Sequence, residues 1–187
     1  PYLSKLKAPD GVYSIMGNHD YCTYGAFANE EARKQSVETL HQTERNAGWD
    51  LLLNENRIIR KGNDSIALVG VENDGRPPFP QYGDLPKATA GLSKGCFKLL
   101  LSHDPTHWRR ETLPDTDIPL QLSGHTHAMQ FKVAGWSPTS WIYKQNDGLY
   151  EKDSHYINVS HGVGGAGLPF RFGAWPEICV ITLEVRN

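Results

Sequence analysis

Three apolar strands that each run into a histidine cluster constrain this chain most. Val12-Tyr13-Ser14-Ile15-Met16 leads into Gly17-Asn18-His19-Asp20, and Phe97-Lys98-Leu99-Leu100-Leu101 leads into Ser102-His103-Asp104. Ile118-Pro119-Leu120-Gln121-Leu122 leads into Gly124-His125-Thr126-His127. Strand ends of an α/β sheet gather on one rim, and ligands bind there. Imidazoles and an amide oxygen on that rim suit a transition metal such as zinc, iron or manganese. A lone histidine at a strand end is more often a hydrogen-bonded turn residue. His-Thr-His alone is weak too, since alternate residues of an extended strand share a face. All three clusters follow apolar strands, and two have a glycine that lets the backbone turn tightly. That combination favours a metal site.

The order of these clusters resembles the calcineurin-like metallophosphoesterase superfamily, whose blocks run Asp-x-His, Gly-Asp, Gly-Asn-His-Asp/Glu, His and Gly-His-x-His. The last three stand here at Gly17 to Asp20, at His103 and at Gly124 to His127. Further stretches resemble a membrane-associated bacterial subgroup: Ala8-Pro9-Asp10-Gly11-Val12-Tyr13, Leu53-Asn54-Glu55 and Gly70-Val71-Glu72. So does the tail, from Val159-Ser160-His161-Gly162-Val163-Gly164 through Trp175-Pro176-Glu177-Ile178. Two departures stand out. The subgroup follows its Gly-His-Thr-His with Gly-Gly-Gln, where this chain has Ala128-Met129-Gln130. Asp-x-His and the first Gly-Asp do not occur, and the chain opens at Pro1 in what reads as the tail of a helix. The expectation is that residues 1–187 form the C-terminal portion of a metallophosphoesterase catalytic domain.

The resemblance implies an α/β fold, a four-layer αββα sandwich of two mixed sheets with its N-terminal strands missing. It implies metal-dependent hydrolysis of a phosphomonoester, phosphodiester or pyrophosphate bond at a dinuclear site. Two cations about 3.5–4 Å apart acidify a water and clamp the phosphoryl oxygens. Carried over by position, Asn18, His103 and His125 bind one metal. His127 binds the other with the absent Asp-x-His, and the absent Gly-Asp aspartate bridges them. His19 is not a ligand in this scheme but sits over the phosphoryl group as a charge stabiliser or acid, with Asp20 holding its imidazole. Asp104 reads equally as an outer partner of His103 or as a turn cap. His161, Arg171 and Arg76 are candidate phosphate contacts. His41, His107 and His155 read as surface or packing residues. The intact enzyme is expected to hold two divalent ions (manganese, zinc or iron), this chain at most one, weakly, so that by itself it is close to inactive.

A chain of 187 residues buries about 70% of its unfolded surface, enough for one compact domain. With 19 basic and 21 acidic residues it has no polycationic character, so nucleic acid is not an expected partner. No apolar run approaches the ~20 residues needed to cross a bilayer, and the lack of a signal peptide in this stretch says nothing about its parent. The chain itself is thus expected to be soluble. The resemblance associates its parent with a membrane through absent N-terminal helices and makes a phosphorylated small molecule or a lipid-linked phosphate the expected substrate. Uncovered sheet edge is expected to favour self-association. Cys22, Cys96 and Cys179 form neither a disulfide framework nor a zinc knuckle. Cys96 and Cys179 read as small core residues.

Periodicity predicts a helix from Asn29 to Ala47, with Val37, Leu40 and Ala47 on one face and Gly48 as its stop. Strands are expected at Leu51–Leu53, Arg57–Ile59 and Ser65–Val69, with a turn at Gly62-Asn63-Asp64. Asp74 to Pro86 reads as irregular loop. Short helices are expected from Asp84 to Lys94, capped by Asp84, and around Thr106 to Leu113. Trp136 to Tyr150 is aromatic and turn-rich, and reads as a lipid- or substrate-facing patch or as loop packing. Tyr156–Val159 and Ile178–Leu183 are expected to close the sheets. Two rivals remain: a zinc amidohydrolase, in which Gly-Asn-His-Asp has no place, and a catalytically silent metal-binding or interaction module.

Overall fold

Six strands in the order β3-β4-β5-β6-β8-β7 form the main sheet, and a separate parallel pair, β1-β2, lies beside it. In this computed structural model, which describes residues 3–167 and 169–184, the strands are β1 Tyr13–Ile15, β2 Asp50–Leu52, β3 Glu55–Lys61, β4 Asp64–Gly70, β5 Phe97–Leu101, β6 Leu120–Ser123, β7 Gly148–Lys152 and β8 His155–Val159. The helices are α1 Glu30–Asn46, α2 Leu85–Ala88 and α3 Leu113–Asp115, the last running on from a π-helical turn at Trp108–Thr112. Strands β4, β5, β6 and β8 are parallel, and antiparallel β3 and β7 form the edges.

Register explains the layering. Val69, Leu100, Gln121, Ile157 and Tyr150 are cross-strand partners and so share one face. On that face Leu85 and Ala88 of α2 pack with Val69, Val71, Leu100 and Ile118, while Trp108 packs with Ile157 and Val159. The opposite face carries Leu68, Gly70, Leu99, Leu101, Leu120 and Leu122. There the β1-β2 pair comes so near Gly70 that a Cβ at that position would stand 2.4 Å from Leu52 Cβ and 3.0 Å from Ile15 Cγ2. A glycine in β4 is what lets the two sheets approach. Beyond β1-β2 lies α1, with Val37 and Leu40 against Met16, Tyr21 and Leu51. The succession of helix, sheet, sheet and helix gives the expected α/β layering.

The ends of α1 follow its capping residues. Asn29 accepts a hydrogen bond from the Ala32 N–H, and Gly48 turns the chain away at φ 84°. The predicted helix over Asp84–Lys94 is shorter than expected. Asp84 caps it through the Lys87 N–H, but it ends at Ala88, and Gly91 at φ 79° follows. Ile178–Leu183 is not a strand. Val180, Ile181 and Leu183 lie across the face formed by Phe97, Leu120, Leu149 and Tyr156, where no strand edge offers a ladder. Cys179 is exposed and Cys96 half-buried, so neither is a core residue. Among the described residues no helix is long and apolar enough to cross a membrane.

Candidate metal centre

The loops leaving β1, β5, β6 and β8 meet on one rim, which brings Asn18, His103, His125, His127 and His161 into one neighbourhood. Asn18, buried, is the hub. Its Oδ1 accepts from His103 Nε2 and from His125 Nδ1, both at 3.0 Å. Its Nδ2 donates to the Tyr24 hydroxyl at 2.9 Å, which fixes the direction of the amide. The His103 and His125 rings meet edge to face with centroids 5.2 Å apart. A Cβ at Gly17 would come within 2.9 Å of the His103 ring, so glycine in the first cluster makes room for the histidine of the second.

The loop after β6 is strained. His125, His127, Ala128, Met129 and Gln130 all have positive φ, between 46° and 69°. Side chains with a Cβ disfavour that region by about 1–2 kcal/mol per residue. The resembled subgroup has glycine at the positions of Ala128 and Met129, where the strain would vanish. Here the conformation is kept instead by packing and hydrogen bonds. Ser137 Oγ donates to the Ala128 carbonyl, Thr126 Oγ1 to the Asn146 carbonyl, and Gln130 Nε2 to the Phe170 carbonyl.

Burial keeps the imidazoles neutral. Desolvation, followed by repulsion from His125, His127 and His19, pushes His103 down to about 3. Desolvation lowers His125, against the pull of Asp104, and lowers His127, against a hydrogen bond to the His161 carbonyl. Neutral imidazole has the lone pair that a metal needs. The same burial makes stability pH-dependent. A histidine depressed in the folded state is protonated first in the unfolded chain, so its stabilisation is complete above ~6.5 and is lost as pH falls toward 3. His103 alone accounts for roughly 2 kcal/mol by pH 5. The metal-free chain should melt about 4–8 °C lower at pH 5 than at pH 7.5, and thermal unfolding monitored by circular dichroism checks this. A flat profile would mean that the histidines are not buried as described.

Further groups surround the hub: Tyr143 from the aromatic segment, Phe79 and Asp104. Tyr143, buried beside Asp104 and raised to about 12 chiefly by desolvation, places its hydroxyl 2.8 Å from His125 Nε2. Phe79 meets the His125 ring edge-on at 4.8 Å. Asp104 is fully buried. Its Oδ1 accepts from the Thr106 N–H and hydroxyl, while Oδ2 has no hydrogen-bond partner and lies 3.7 Å from His125 Nε2. Asp104 thus both caps a turn and faces a histidine, though His125 rather than His103.

Other candidates fall differently. The Asp20 carboxylate accepts from the Gly17 N–H at 2.7 Å, so it closes the turn. The expected partner of His19 is replaced by Tyr24, whose ring lies 4.6 Å from the imidazole centroid. His127 Nδ1 lies 3.2 Å from the His161 carbonyl, an arrangement that leaves Nε2 free if Nδ1 carries the proton. The His161 ring is buried against Asp147, which also pairs with Lys132. Arg171 directs its guanidinium to the carbonyls of Gly164, Ala174 and His161, with one Nη 3.4 Å from His127 Nδ1. It braces the loop beside His127. Arg76 donates to the Ile142 carbonyl and lies over the Tyr143 ring, 5.5 Å from its centroid. His107 is fully buried, between Ser102 Oγ on one nitrogen and Glu111 and Asp74 on the other. Those three acid and imidazole groups lie within metal-binding distance of one another, but Arg110 already neutralises Asp74 at 3.1 Å.

Half-buried histidines and a buried asparagine at the carboxyl ends of a layered α/β sheet define a protein built to present neutral nitrogen and oxygen donors. No family model and no solved structure matches the chain. Curated relatives do. The chain is 34% identical over its whole length to a Bacillus subtilis protein described as the uncharacterized metallophosphoesterase YkuE, and covers 61% of it. It is 29% identical to an Aquifex aeolicus protein described as an uncharacterized metallophosphoesterase, over 99% of this chain and 65% of that one. It is 31% identical to a Bos taurus protein named transmembrane protein with metallophosphoesterase domain, over 97% of this chain and 40% of that one. The chain therefore spans less than two thirds of the length of these relatives. It belongs to the calcineurin-like metallophosphoesterase superfamily.

Proposed function

We propose that this chain carries part of a metal-dependent phosphoesterase site, acting on a phosphomonoester, phosphodiester or pyrophosphate bond. The observation that carries the reading is the convergence of His103 Nε2 and His125 Nδ1 on Asn18 Oδ1, each at 3.0 Å. Two neutral imidazoles and an amide oxygen fit manganese, zinc or iron. Bound there, a divalent ion supplies Lewis-acid polarisation of a phosphoryl oxygen and lowers the pKa of a water. His127 is the protein donor left for a second ion. Binding at His125 Nδ1 requires the ring proton on Nε2, and that nitrogen faces the Tyr143 hydroxyl and the orphaned Asp104 oxygen. In the ion-free chain Nδ1 donates to Asn18 Oδ1; with an ion held at Nδ1 the proton would move to Nε2, where those two groups would accept its hydrogen bond.

On this reading His19, exposed on the rim and close enough to raise the cost of charging His103, His125 and His127, donates a proton to a leaving oxygen. Asp20 serves by shaping the turn that presents it. The substrate proposed is a phosphorylated small molecule or a lipid-linked phosphate. The Bos taurus and Danio rerio relatives, named as transmembrane proteins, support membrane association of the whole protein.

The test is phosphate or phenol release from aryl phosphomonoesters and phosphodiesters with manganese, zinc or iron(II). A slow, chelator-sensitive rate is expected, absent from a His103→Ala/His125→Ala double variant. Rates equal in the two proteins would overturn the reading. Tight metal binding without any turnover would leave the silent metal-binding module instead.

A further inference from the structure

One cavity beside the histidine cluster is lined by four cations. Its volume is about 220 Å³, and Arg76, Arg109, Arg110 and Lys144 surround it over a floor that includes Tyr143 and Gln145. The chain as a whole has a net charge of −2, so this concentration of positive charge is local and not compositional. Only part of it is neutralised. Arg110 is paired with Asp74 at 3.1 Å, and the Glu111 carboxylate is engaged by His107. Arg109 spends its Nε on Gln145 Oε1, which leaves its terminal nitrogens for the cavity. Arg76 has a carbonyl and a ring face as partners, and Lys144 has no acidic partner among the described residues. Like charges held around one cavity repel one another, and an anion in the middle relieves that cost. Planar guanidinium groups also present paired donors in the geometry of phosphate oxygens.

The position of the cavity gives it a use. Tyr143 is a shared wall. Its hydroxyl is 2.8 Å from His125 Nε2, and its ring centroid lies 5.5 Å from the Arg76 guanidinium carbon on the cavity side. The Tyr143 ring, with His125 behind it, stands between the cavity and the donors that meet at Asn18. A ligand with a phosphoryl group at the cluster and another anionic group several bonds away would span the two.

We propose that the cavity bounded by Arg76, Arg109, Arg110 and Lys144 is an anion subsite for a second phosphoryl group. The site would then prefer substrates carrying a second phosphoryl group several bonds from the scissile one, a bisphosphate, over simple monoesters. This rests on the phosphoesterase reading for its catalytic consequence, but the binding of a diphosphate does not depend on it.

The experiment is a calorimetric titration of the chain with inorganic pyrophosphate in metal-free, low-salt buffer. Three variants accompany it: Lys144→Gln, the double variant Arg109→Gln/Lys144→Gln, and His125→Ala. Lys144→Gln removes a side chain with no acidic partner, so it tests charge without burdening the fold. Pyrophosphate should bind at one site, with affinity reduced severalfold in Lys144→Gln and at least tenfold in the double variant. It should be within about threefold of wild type in His125→Ala, and should weaken as salt is raised. Parallel titrations with a soluble nucleoside diphosphate and a micelle-dispersed prenyl diphosphate identify whether the group is presented in solution or at a lipid surface. No binding to wild type, unaltered binding in the double variant, or an equal loss in His125→Ala would each overturn the proposal. In the hydrolysis assay the double variant should raise KM about tenfold for a bisphosphate substrate, with kcat and the single-phosphate ester unchanged. Charge-dependent pyrophosphate binding in a protein that hydrolyses no phosphoester would retire the phosphoesterase reading and leave the subsite standing.

Discussion

Replacing His125 with alanine should strip metal and turnover together, whereas His19→Ala should leave the metal and remove most of the turnover. The two residues are neighbours only in space, and their surroundings assign them different tasks. His125 is mostly buried, its Nδ1 directed at Asn18 Oδ1 and its Nε2 flanked by Tyr143 and Asp104. A side chain held at both nitrogens is built to be a ligand, and its loss removes one of three converging donors. Metal affinity should drop by about a hundredfold or more, as loss of even an outer partner typically costs 10–100-fold. His19 instead lies exposed, against the Tyr24 ring. Its removal takes away a proton donor, an effect of about 10²–10⁴ in rate. Metal content by plasma mass spectrometry, read beside aryl phosphoester turnover, separates the two. Equal metal loss in both variants would show that His19 is a ligand.

The legible part of the site was the part written in contiguous residues. Each histidine cluster follows its own strand, so Gly17 to Asp20, His103 and Gly124 to His127 were visible as local words, and the shared rim follows from parallel strands. The caps of α1 were legible for the same reason, because Asn29 and its partner Ala32 lie within one turn. What contiguous residues leave open is which of two local partners wins. Asp20 stands next to His19 in sequence, but the Gly17 N–H, three residues back, is the donor its carboxylate reaches. Ile178–Leu183 has the composition of a strand, yet a strand is a property of a ladder and needs a neighbouring edge. Tyr24, Phe79 and Tyr143 reach the cluster from segments with no motif of their own. The positive φ at Ala128 and Met129 was foreshadowed only by the departure from Gly-Gly, since alanine and methionine do not announce a left-handed backbone. The cation cavity was least legible, because Arg76 belongs to one loop, Arg109 and Arg110 to a helical turn, and Lys144 to another loop.

The 187-residue chain should bind one divalent ion rather than two, and its turnover of an aryl phosphodiester should fall at least about a hundredfold below that of the full-length Bacillus subtilis relative. The donors gathered on the rim decide this. Asn18, His103 and His125 make a set that water can complete into four- to six-coordination. On the other side His127 offers one nitrogen, and its neighbours Arg171 and the His161 carbonyl are committed to bracing it. The carboxylate that faces the cluster, Asp104, lies toward His125 Nε2, on the far side of the ring from the Nδ1 donor, so it does not bridge. An ion with a single protein ligand is held weakly, whereas stable sites take three or four. One ion polarises a phosphate but does not clamp the attacking and leaving oxygens together, which is the advantage of a pair. Equilibrium dialysis against manganese gives the stoichiometry, and side-by-side assays at matched metal give the rate ratio. Two tightly held ions with turnover equal to that of the relative would require a second set of donors, which the described residues around His127 do not provide.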